Sequence, residues 1–477
     1  MGEMAYRHLF PYEKILPKSK ILIYGAGALG QEYYTQLSIT HYCEVMGFID
    51  RNYENYQGCV VPVYPPDRIA DMEADYVVVA LRMEAAFQEI KRILLQANVP
   101  EDRIVAVFER KYDAHIMFDA ADRFDAEFAY KGNVKSIALL TTGGFGDMVI
   151  QKRLVMELIR LAPGCSIDLY NVKAFEFLKN LYTDMPDVKN VIPDLGSRYY
   201  KRVKKYSLGL TIEACHFIKV DYFKEEIWDR ENQAFSRKIK LLMEKVGEEK
   251  AGISTPAHVT MYRKRYRGEN AYTGFNYDGV FEISDKRVNI PLDNGAGKRF
   301  AQMGLSGYIT INCGNGDCAD GRMVAKSWPL GYYEELVKLI KQNASHISVV
   351  QLGGKEAVKI KGCDSYIFGE EFTLVTHILK NSMLHIDIEG GLVHIATQLE
   401  TKCIVLFGPT VAEYYGYESN INIRAGNCHN CWGLYEDVNK CARGMEQPAC
   451  MYAITPEMVY SQASGELSKW MDKAFKR

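Results

Sequence analysis

The clearest combination of groups that could hold and polarise a substrate lies at residues 389–394. Glu389, Gly390 and Gly391 form a glycine turn, and His394 follows three residues later. The apolar spacing after the turn predicts a short helix, whose first amides lack partners inside the helix. Free amides at a helix start bind anions such as a diphosphate. The alternative is an ordinary α/β crossover in which His394 is simply a buried polar residue, and this segment alone supports both.

Two apolar runs enclose the turn. Residues 383–387 and 403–407 are short enough and apolar enough to be buried strands, with the helix expected over residues 392–399. The second strand breaks at Gly408-Pro409, and Thr410 follows directly. The stretch therefore predicts a strand, a turn, a helix and a second strand.

A second glycine-rich loop runs from Gly143 to Asp147. It follows an expected strand at residues 137–141 and precedes a helix expected to end near Leu161, with a further strand at residues 166–170. Asp147 stands where a helix cap belongs, and such a cap is worth about 1 kcal/mol. Its alternative role is chemical, because three glycines would let a substrate approach a carboxylate at the mouth of a cleft.

The unit that contains Glu389 begins at Tyr308. A strand over residues 308–313 is followed by a glycine-rich loop at 314–321 and by the run KSWP, which starts at Lys326. A helix at residues 332–341 and a strand at 347–352 complete the pattern. Repeated strand–loop–helix units predict a parallel, doubly wound sheet.

A third unit occupies the N-terminus. A strand starting at Lys20 is followed by Gly25, Gly27 and Gly30 in the order G-x-G-x-x-G, and a second strand ends at Asp50. This is the dinucleotide-binding pattern, with an acid placed for a ribose hydroxyl. A strand at residues 75–81, a helix at 85–97 and a strand at 104–108 would complete the sheet. The alternative is a scaffold of this fold that no longer binds a ligand.

The same N-terminal stretch, IYGAGALG with VMGFIDRNYENYQGCVVPV, resembles the nucleotide-sugar-binding domain of bacterial sugar acyltransferases and sugar-nucleotide dehydratases. The resemblance implies a nucleotide or dinucleotide as the ligand of this domain. A dehydrogenase is the weakest interpretation, since nothing nearby supplies a partner for hydride transfer.

Four cysteines cluster near the C-terminus at Cys428, Cys431, Cys441 and Cys450. A C-x2-C pair with two further cysteines is a four-sulfur ligand set for structural zinc, and iron accepts the same geometry. His429 is a spare ligand candidate, and free thiols are the alternative. The site would be structural, because four sulfurs leave no coordination position open.

The composition and charge bear on whether the chain binds nucleic acid or a membrane. The net charge of −2 gives no global attraction to nucleic acid, and no apolar run approaches the roughly 18 residues of a membrane span. The N-terminus lacks the apolar core of a cleavable leader, so we expect a cytoplasmic protein. Basic runs at residues 201–205 and 263–267 favour a solvated face, with at most peripheral contact with the inner membrane.

Five motifs in order, GGFGDMV, KSWP, EGGLVHIA, VLFGPT and the cysteine stretch, resemble those of glycosyltransferase family 9, the bacterial heptosyltransferases. The similarity covers residues from about 134 to 465. It implies an α/β fold of three Rossmann-like doubly wound domains, the last two forming a GT-B glycosyltransferase. The expected domains are residues 1–112 for nucleotide binding, a linker at 113–133, an acceptor domain at 134–303, and a donor domain at 304–477 with a cysteine metal knuckle at 428–450.

The resemblance also implies roles. Asp147 is the expected base for the acceptor hydroxyl, and Lys326 would neutralise the donor phosphate. His394 would donate a hydrogen bond to the diphosphate. The remaining donor-binding candidates are Glu389, Gly390, Gly391 and Thr410. The sequence has no Asp-x-Asp pair, so we expect catalysis without a divalent metal.

One difference from the family concerns the donor turn. Heptosyltransferases usually carry Asp-Thr-Gly where this chain has Glu389-Gly390-Gly391. The expected function is transfer of heptose or another sugar from a nucleotide-diphosphate donor to a glycan, glycolipid or protein acceptor. Synthesis of cell-surface polysaccharide, lipopolysaccharide among them, is the expected context, and the sequence is compatible with an oligomer. The alternative is a catalytically altered protein that binds nucleotide sugars or acts as a scaffold.

Overall fold

The structure is a computed structural model. It describes residues 8–56, 61–81, 84–108, 133–171, 174–194, 198–214, 217–250, 261, 264–283, 287–314, 325–354, 357–426, 428, 430–432 and 441–474. The chain divides into two compact units, Met1–Gly132 with Ile192–Arg202, and Asn133–Val191 with Val203–Arg477. Among the described residues, no helix is both long enough and apolar enough to cross a bilayer.

The N-terminal unit contains a five-stranded parallel sheet in the order β3-β2-β1-β4-β5. Buried β-branched and aliphatic side chains fill its strands, which explains their near-continuous apolar sequence. The elements are β1 (Lys20–Tyr24), α1 (Ala28–Thr40), β2 (Glu44–Ile49), β3 (Val63–Tyr64), β4 (Tyr76–Val79), α2 (Glu84–Gln96) and β5 (Ile104–Ala106).

The second sheet has the order β10-β9-β6-β7-β8, and its edge strand β10 runs antiparallel to β9. Its elements are β6 (Ser136–Thr141), α3 (Phe145–Leu161), β7 (Ser166–Asn171), α4 (Phe175–Leu181), β8 (Val188–Pro193), α5 (Arg198–Arg202), β9 (Leu208–Glu213), β10 (Phe217–Phe223), α6 (Glu225–Glu231) and α7 (Gln233–Lys250).

The third sheet is parallel throughout, in the order β13-β12-β11-β14-β15-β16. Its elements are α8 (Asn294–Gln302), β11 (Tyr308–Ile311), α9 (Leu330–Asn343), β12 (Ser348–Gly353), β13 (Ser365–Phe368), α10 (Phe372–Lys380), β14 (His385–Ile388), α11 (Gly391–Gln398), β15 (Cys403–Phe407), α12 (Ala412–Tyr415), β16 (Ile421–Arg424), α13 (Ala449–Tyr452) and α14 (Pro456–Ala474). Short 3-10 turns occur at Tyr12–Lys14, Tyr53–Tyr56, Pro66–Asp71, Glu101–Arg103 and Val203–Lys205.

Each sheet has one point at which the strand order reverses, and each glycine loop lies at that point. The loops follow β1, β6 and β14, which border the reversals β1/β4, β6/β9 and β11/β14. Ligands of open α/β sheets bind in the crevice outside the carboxyl ends of such strands. The topology therefore places the sequence-predicted groups where such ligands bind.

The predicted fold class is confirmed, because all three sheets are doubly wound and the last two share one compact unit. Strand 403–407 has the predicted bounds, and helix α11 begins one residue earlier than expected. Strand β14 begins two residues later than predicted, at His385. Linker residues 113–132, loop residues 315–321, Arg263 and His429 lie outside the described residues.

Candidate active site

The site begins where two helix starts meet. A Cβ atom added to Gly391, the first residue of α11, would lie 3.1 Å from Phe145 Cβ and 3.4 Å from the Gly146 nitrogen, both at the start of α3. A Cβ on Gly146 would lie 2.4 Å from the His394 ring. Glycine at these positions lets the two halves approach each other. Because both helices present their positive ends here, an anion between them is electrostatically favoured.

Asp147 lies in the first turn of α3. Gly144, and not Asp147 as predicted, is the N-cap of this helix. Asp147 is the third helical residue, and its Oδ2 accepts a hydrogen bond from the Gly144 N–H at 2.7 Å, which completes a capping box. Gly143 adopts φ +104°, and a Cβ there would lie 2.5 Å from the same oxygen. The glycine loop therefore folds around the carboxylate, and the helix that carries Asp147 is the one that meets α11.

Glu389 is the centre of a buried charged cluster. Its Oε2 lies 3.2 Å from Lys326 Nζ, and its Oε1 lies 3.5 Å from His394 Nε2. Burial alone would raise the pKa of the Glu389 carboxyl, but Lys326 and His394 outweigh burial and lower the pKa to about 2. The carboxylate is therefore ionised at neutral pH although its side chain is only 10% exposed.

His394 is held on both sides of its ring. Its Nδ1 lies 2.9 Å from the Tyr417 hydroxyl, while Nε2 faces Glu389. A carboxylate can only accept, so these partners assign the proton of the neutral ring to Nε2, and Tyr417 donates to Nδ1. The sequence predicts His394 near an anion site. In the structure its side chain is buried, and each ring nitrogen has a partner.

Lys326 lies between a carboxylate and an aromatic ring. Its Nζ is 4.7 Å from the centre of the Trp432 ring, in addition to its contact with Glu389. Two residues further on, Trp328 is buried and donates from Nε1 to the Ile454 carbonyl at 2.7 Å. The buried Trp328 therefore holds the KSWP run in place, and with it the backbone of Lys326.

Sequence reasoning missed a group of aromatic and basic residues behind His394. Tyr272 stacks on Tyr417 with ring centres 4.5 Å apart, and the Arg153 guanidinium lies 5.2 Å from the Tyr272 ring centre. Burial raises the pKa of Tyr417 to about 12, so its hydroxyl remains a donor at neutral pH. These residues lie in no recognisable motif, and only the tertiary fold brings them together.

Thr410 and the turn before it connect the site to the cysteine stretch. The Thr410 hydroxyl is buried and has no hydrogen-bond partner among the described residues. A Cβ on Gly408 would lie 2.1 Å from Met451 Sδ and 3.2 Å from Cys450 Sγ. The Trp432 N–H donates to the Pro409 carbonyl at 2.9 Å. The cysteine stretch thus packs directly on the turn that ends in Thr410.

The four clustered cysteines are near neighbours. Burial raises the pKa of the Cys450 thiol to about 12, and nearby Cys428, Cys431 and Cys441 add to the shift. As placed, the part of the chain that the structure describes contains no group of three or more His, Cys, Asp or Glu side chains arranged to hold a metal ion. The zinc or iron assignment remains a prediction from donor chemistry and spacing.

The N-terminal glycine loop has its own geometry. Asp50 Oδ2 accepts the Ala26 N–H at 2.9 Å, so the acid at the end of β2 braces the loop. A Cβ on Gly30 would lie 1.9 Å from the Gly25 carbonyl oxygen, whereas a Cβ on Gly27 would meet nothing within 4 Å. Gly30 therefore serves close packing, and Gly27 faces open space in which a ligand could approach the loop.

Part of the chain matches a known family. A family described as C2185-like, N-terminal, matches residues 17–105. No curated protein matches the chain.

Several solved structures are similar. The Escherichia coli ADP-heptose LPS heptosyltransferase II has 16% identity and a TM-score of 0.45 over 70% of this chain and 99% of that one. A glycosyltransferase family 9 structure from Veillonella parvula has 15% identity and a TM-score of 0.46 over 72% and 99%. The iron-containing dodecameric glycosyltransferase TibC from enterotoxigenic E. coli has 12% identity and a TM-score of 0.46 over 72% and 80%. The first two carry the names heptosyltransferase and glycosyltransferase family 9.

Proposed function

We propose that this chain is an inverting glycosyltransferase that moves a sugar from a nucleoside-diphosphate donor to a hydroxyl group of a glycan, glycolipid or protein acceptor. The observation that carries the proposal is the meeting of two helix starts, one bearing Asp147 and the other bearing His394 beside Lys326. The helix that carries the Asp147 carboxylate thus packs its start against the start of the helix that carries His394.

The donor diphosphate would bind at the start of α11. The amides of Gly391 and its neighbours, the Lys326 ammonium and the His394 Nε2–H are groups that stabilise a departing diphosphate. The buried Thr410 hydroxyl has an unused donor in the same lobe. The absence of an Asp-x-Asp pair from the sequence supports charge neutralisation by these groups without a catalytic divalent metal.

The transfer step requires one proton acceptor. Asp147 would take the proton of the acceptor hydroxyl as its oxygen forms a bond to the anomeric carbon of the donor sugar. The bond from that carbon to the phosphate oxygen breaks at the same time, and its electron pair leaves with the nucleoside diphosphate. Heptose is one candidate sugar, and a cell-surface polysaccharide or lipopolysaccharide is the acceptor class that the family motifs favour.

The test separates the chemical role of Asp147 from its capping role. In Asp147→Asn the amide oxygen can still accept the Gly144 N–H, so we expect an unchanged melting temperature. Loss of the base should lower kcat about 10²- to 10⁴-fold. Release of nucleoside diphosphate would be followed with ADP-, GDP-, UDP- and CDP-sugars and surface-glycan acceptors.

Asp293→Asn is the matched control, because Asp293 caps α8 by accepting the Ala296 N–H at 2.7 Å and belongs to no candidate site. If Asp147→Asn is as active as Asp293→Asn, the Asp147 carboxylate only caps its helix and the proposed mechanism is wrong.

A specific observation favours the alternative function, a protein that binds nucleotide sugars without transferring them. Glu389 already engages both Lys326 and His394. Saturable binding of a nucleotide sugar, without release of nucleoside diphosphate in the presence of any acceptor, would establish this alternative.

We also propose that Cys428, Cys431, Cys441 and Cys450 hold one structural zinc or iron ion, since four thiolates form a suitable ligand set. The ion would keep Trp432 and the Gly408 turn in place and would take no part in the reaction. Metal analysis should find about one ion per chain. That content should fall in Cys450→Ser and persist in Cys165→Ser, a buried cysteine outside the cluster. Equal metal content in both variants would contradict the assignment.

The N-terminal loop is proposed to bind a nucleotide or dinucleotide at Gly27. A Gly27→Asp side chain would enter open space and bring a negative charge to the loop. A thermal shift caused by the ligand should therefore disappear in this variant, while a shift caused by the donor should survive. Ligand-induced shifts that are identical in wild type and Gly27→Asp would contradict a site in this loop.

A further inference from the structure

The two side chains best suited to hold the donor diphosphate already have an anionic partner inside the protein. Lys326 Nζ lies 3.2 Å from one Glu389 carboxylate oxygen, and His394 Nε2 lies 3.5 Å from the other. One carboxylate therefore spans both groups. A diphosphate that used the same two groups would have to replace it.

The position of Glu389 explains how it reaches both partners. The residue follows β14 directly, and its N–H donates to the Leu406 carbonyl at 3.3 Å, which holds the backbone at the carboxyl end of the strand. From this fixed point the long glutamate side chain reaches His394 within its own segment and Lys326 on the loop after β11. An aspartate would be one methylene shorter.

The surroundings shield most of this arrangement from water. The side chains of His394 and Glu389 are 4% and 10% exposed, and that of Lys326 is 19% exposed. Trp432 covers the lysine from another side. A charge pair in such surroundings is weakly screened, so exchanging one anion for another is energetically significant.

We propose that Glu389 is an internal counter-anion that occupies the place of the donor diphosphate until donor binding separates it from Lys326 and His394. The inference rests on the proposed function. The protein would then bind a free diphosphate only weakly, because Glu389 pairs again with Lys326 when the product leaves. Glu389 would thus make product release easier at the expense of affinity.

Calorimetric titration of the full chain tests this inference. The probes are inorganic pyrophosphate, ADP, GDP, UDP, CDP and sugar esters of these nucleotides. Each is titrated into wild type, Glu389→Gln and Glu389→Asp. Glu389→Gln removes the competing charge, and Glu389→Asp keeps the charge but cannot span both partners. We expect both variants to bind pyrophosphate and the preferred nucleotide roughly tenfold more tightly than wild type.

Glu413→Gln is the matched control for a general change of charge. Glu413 is exposed and pairs with Arg424 and Arg265. Its substitution should leave the affinity for pyrophosphate within about twofold of wild type, since exposed charges are screened. Tightening in Glu389→Gln but not in Glu389→Asp would show a field effect without competition and would overturn the inference.

Three other results also decide the matter. Equal affinity in wild type and both Glu389 variants overturns the inference and leaves the proposed function intact. Weaker binding of a nucleotide sugar to Glu389→Gln, with unchanged pyrophosphate binding, makes Glu389 a sugar contact and overturns it as well. Failure of every probe to bind any folded variant contradicts the proposed function and the inference together.

Discussion

Two glycine turns of this protein each connect a parallel strand to a helix, and their acids have different partners. The turn after β1 and the turn after β14 both leave a parallel strand and start a helix at a reversal of strand order. Asp50 accepts the N–H groups of Ala26 and Asn52, each at 2.9 Å. Glu389 instead faces the Lys326 ammonium and the His394 ring.

The two turns differ in whether their acid competes with an incoming anion. Asp50 braces its loop and leaves Gly27 facing open space, where the proposed ligand would approach the loop. In the second turn Gly391 packs on Phe145, and the acid neutralises the cation that a phosphate would seek. A strand–glycine–helix unit supplies amides in both cases, but the partner of the carboxylate decides whether an incoming anion must compete.

The largest expected effect comes from removing the charge of Glu389. The pKa of Glu389, about 2 compared with an ordinary 4.5, means that its ionised form stabilises the fold above pH 4.5. This stabilisation is lost as the pH falls from 4.5 towards 2, and the shift corresponds to about 3 kcal/mol. Glu389→Gln should therefore lower the free energy of unfolding at pH 7 by up to about 3 kcal/mol and flatten its acid dependence.

Asp50→Asn is the matched variant that removes the charge of the other acid. Its single amide oxygen can accept only one of the two backbone N–H groups, because Ala26 and Asn52 donate to different carboxylate oxygens. Loss of one hydrogen bond should cost about 1 kcal/mol at pH 7, well below the loss expected in Glu389→Gln. Urea unfolding at pH 7, 5 and 3.5 measures both. Equal losses in the two variants would remove the contrast between the two turns.

A smaller effect is expected from filling the glycines of the N-terminal loop. Gly30→Ala would place a methyl group 1.9 Å from the Gly25 carbonyl oxygen and should cost about 1–3 kcal/mol of stability through forced backbone shifts. Gly27→Ala meets nothing within 4 Å and should change stability by less than about 0.5 kcal/mol. Thermal unfolding compares the pair. If Gly27→Ala is as destabilising as Gly30→Ala, Gly27 does not face open space.

The smallest effect concerns the aromatic cover of Lys326. Trp432→Ala removes a cation–π contact worth about 0.5–2 kcal/mol and should change the affinity for pyrophosphate by a few-fold. Trp470→Ala is the matched control, since Trp470 is half exposed on α14. Titration calorimetry distinguishes the two. Identical affinities in both variants would mean that Trp432 has no influence on the ammonium group.

Local sequence carried enough information to predict the elements with strong patterns. The run CIVLF predicts β15 with its observed bounds, because five consecutive apolar residues suit a strand that is buried on both faces. Short edge strands such as Val63–Tyr64 and Ile421–Arg424 were not predicted, because only their pairing with neighbours distinguishes them from loops.

Strong local patterns also made part of the site predictable. The glycine turns and the KSWP run indicate Asp147, Lys326 and His394 through local motifs. Tyr272 reaches the site because its segment docks on α12, where the Ala271 N–H donates to the Tyr414 carbonyl at 2.8 Å. The long-range contact from Glu389 to Lys326 likewise depends on the fold. The sequence marks Glu389 as unusual but does not reveal its partner.

The most direct test of the account is a crystal structure with the nucleoside diphosphate that binds most tightly. We expect its diphosphate within hydrogen-bond distance of Lys326 Nζ and the first amides of α11, with the Glu389 carboxylate moved away from the lysine. A diphosphate bound elsewhere, while the Lys326–Glu389 pair stays intact, would contradict the account.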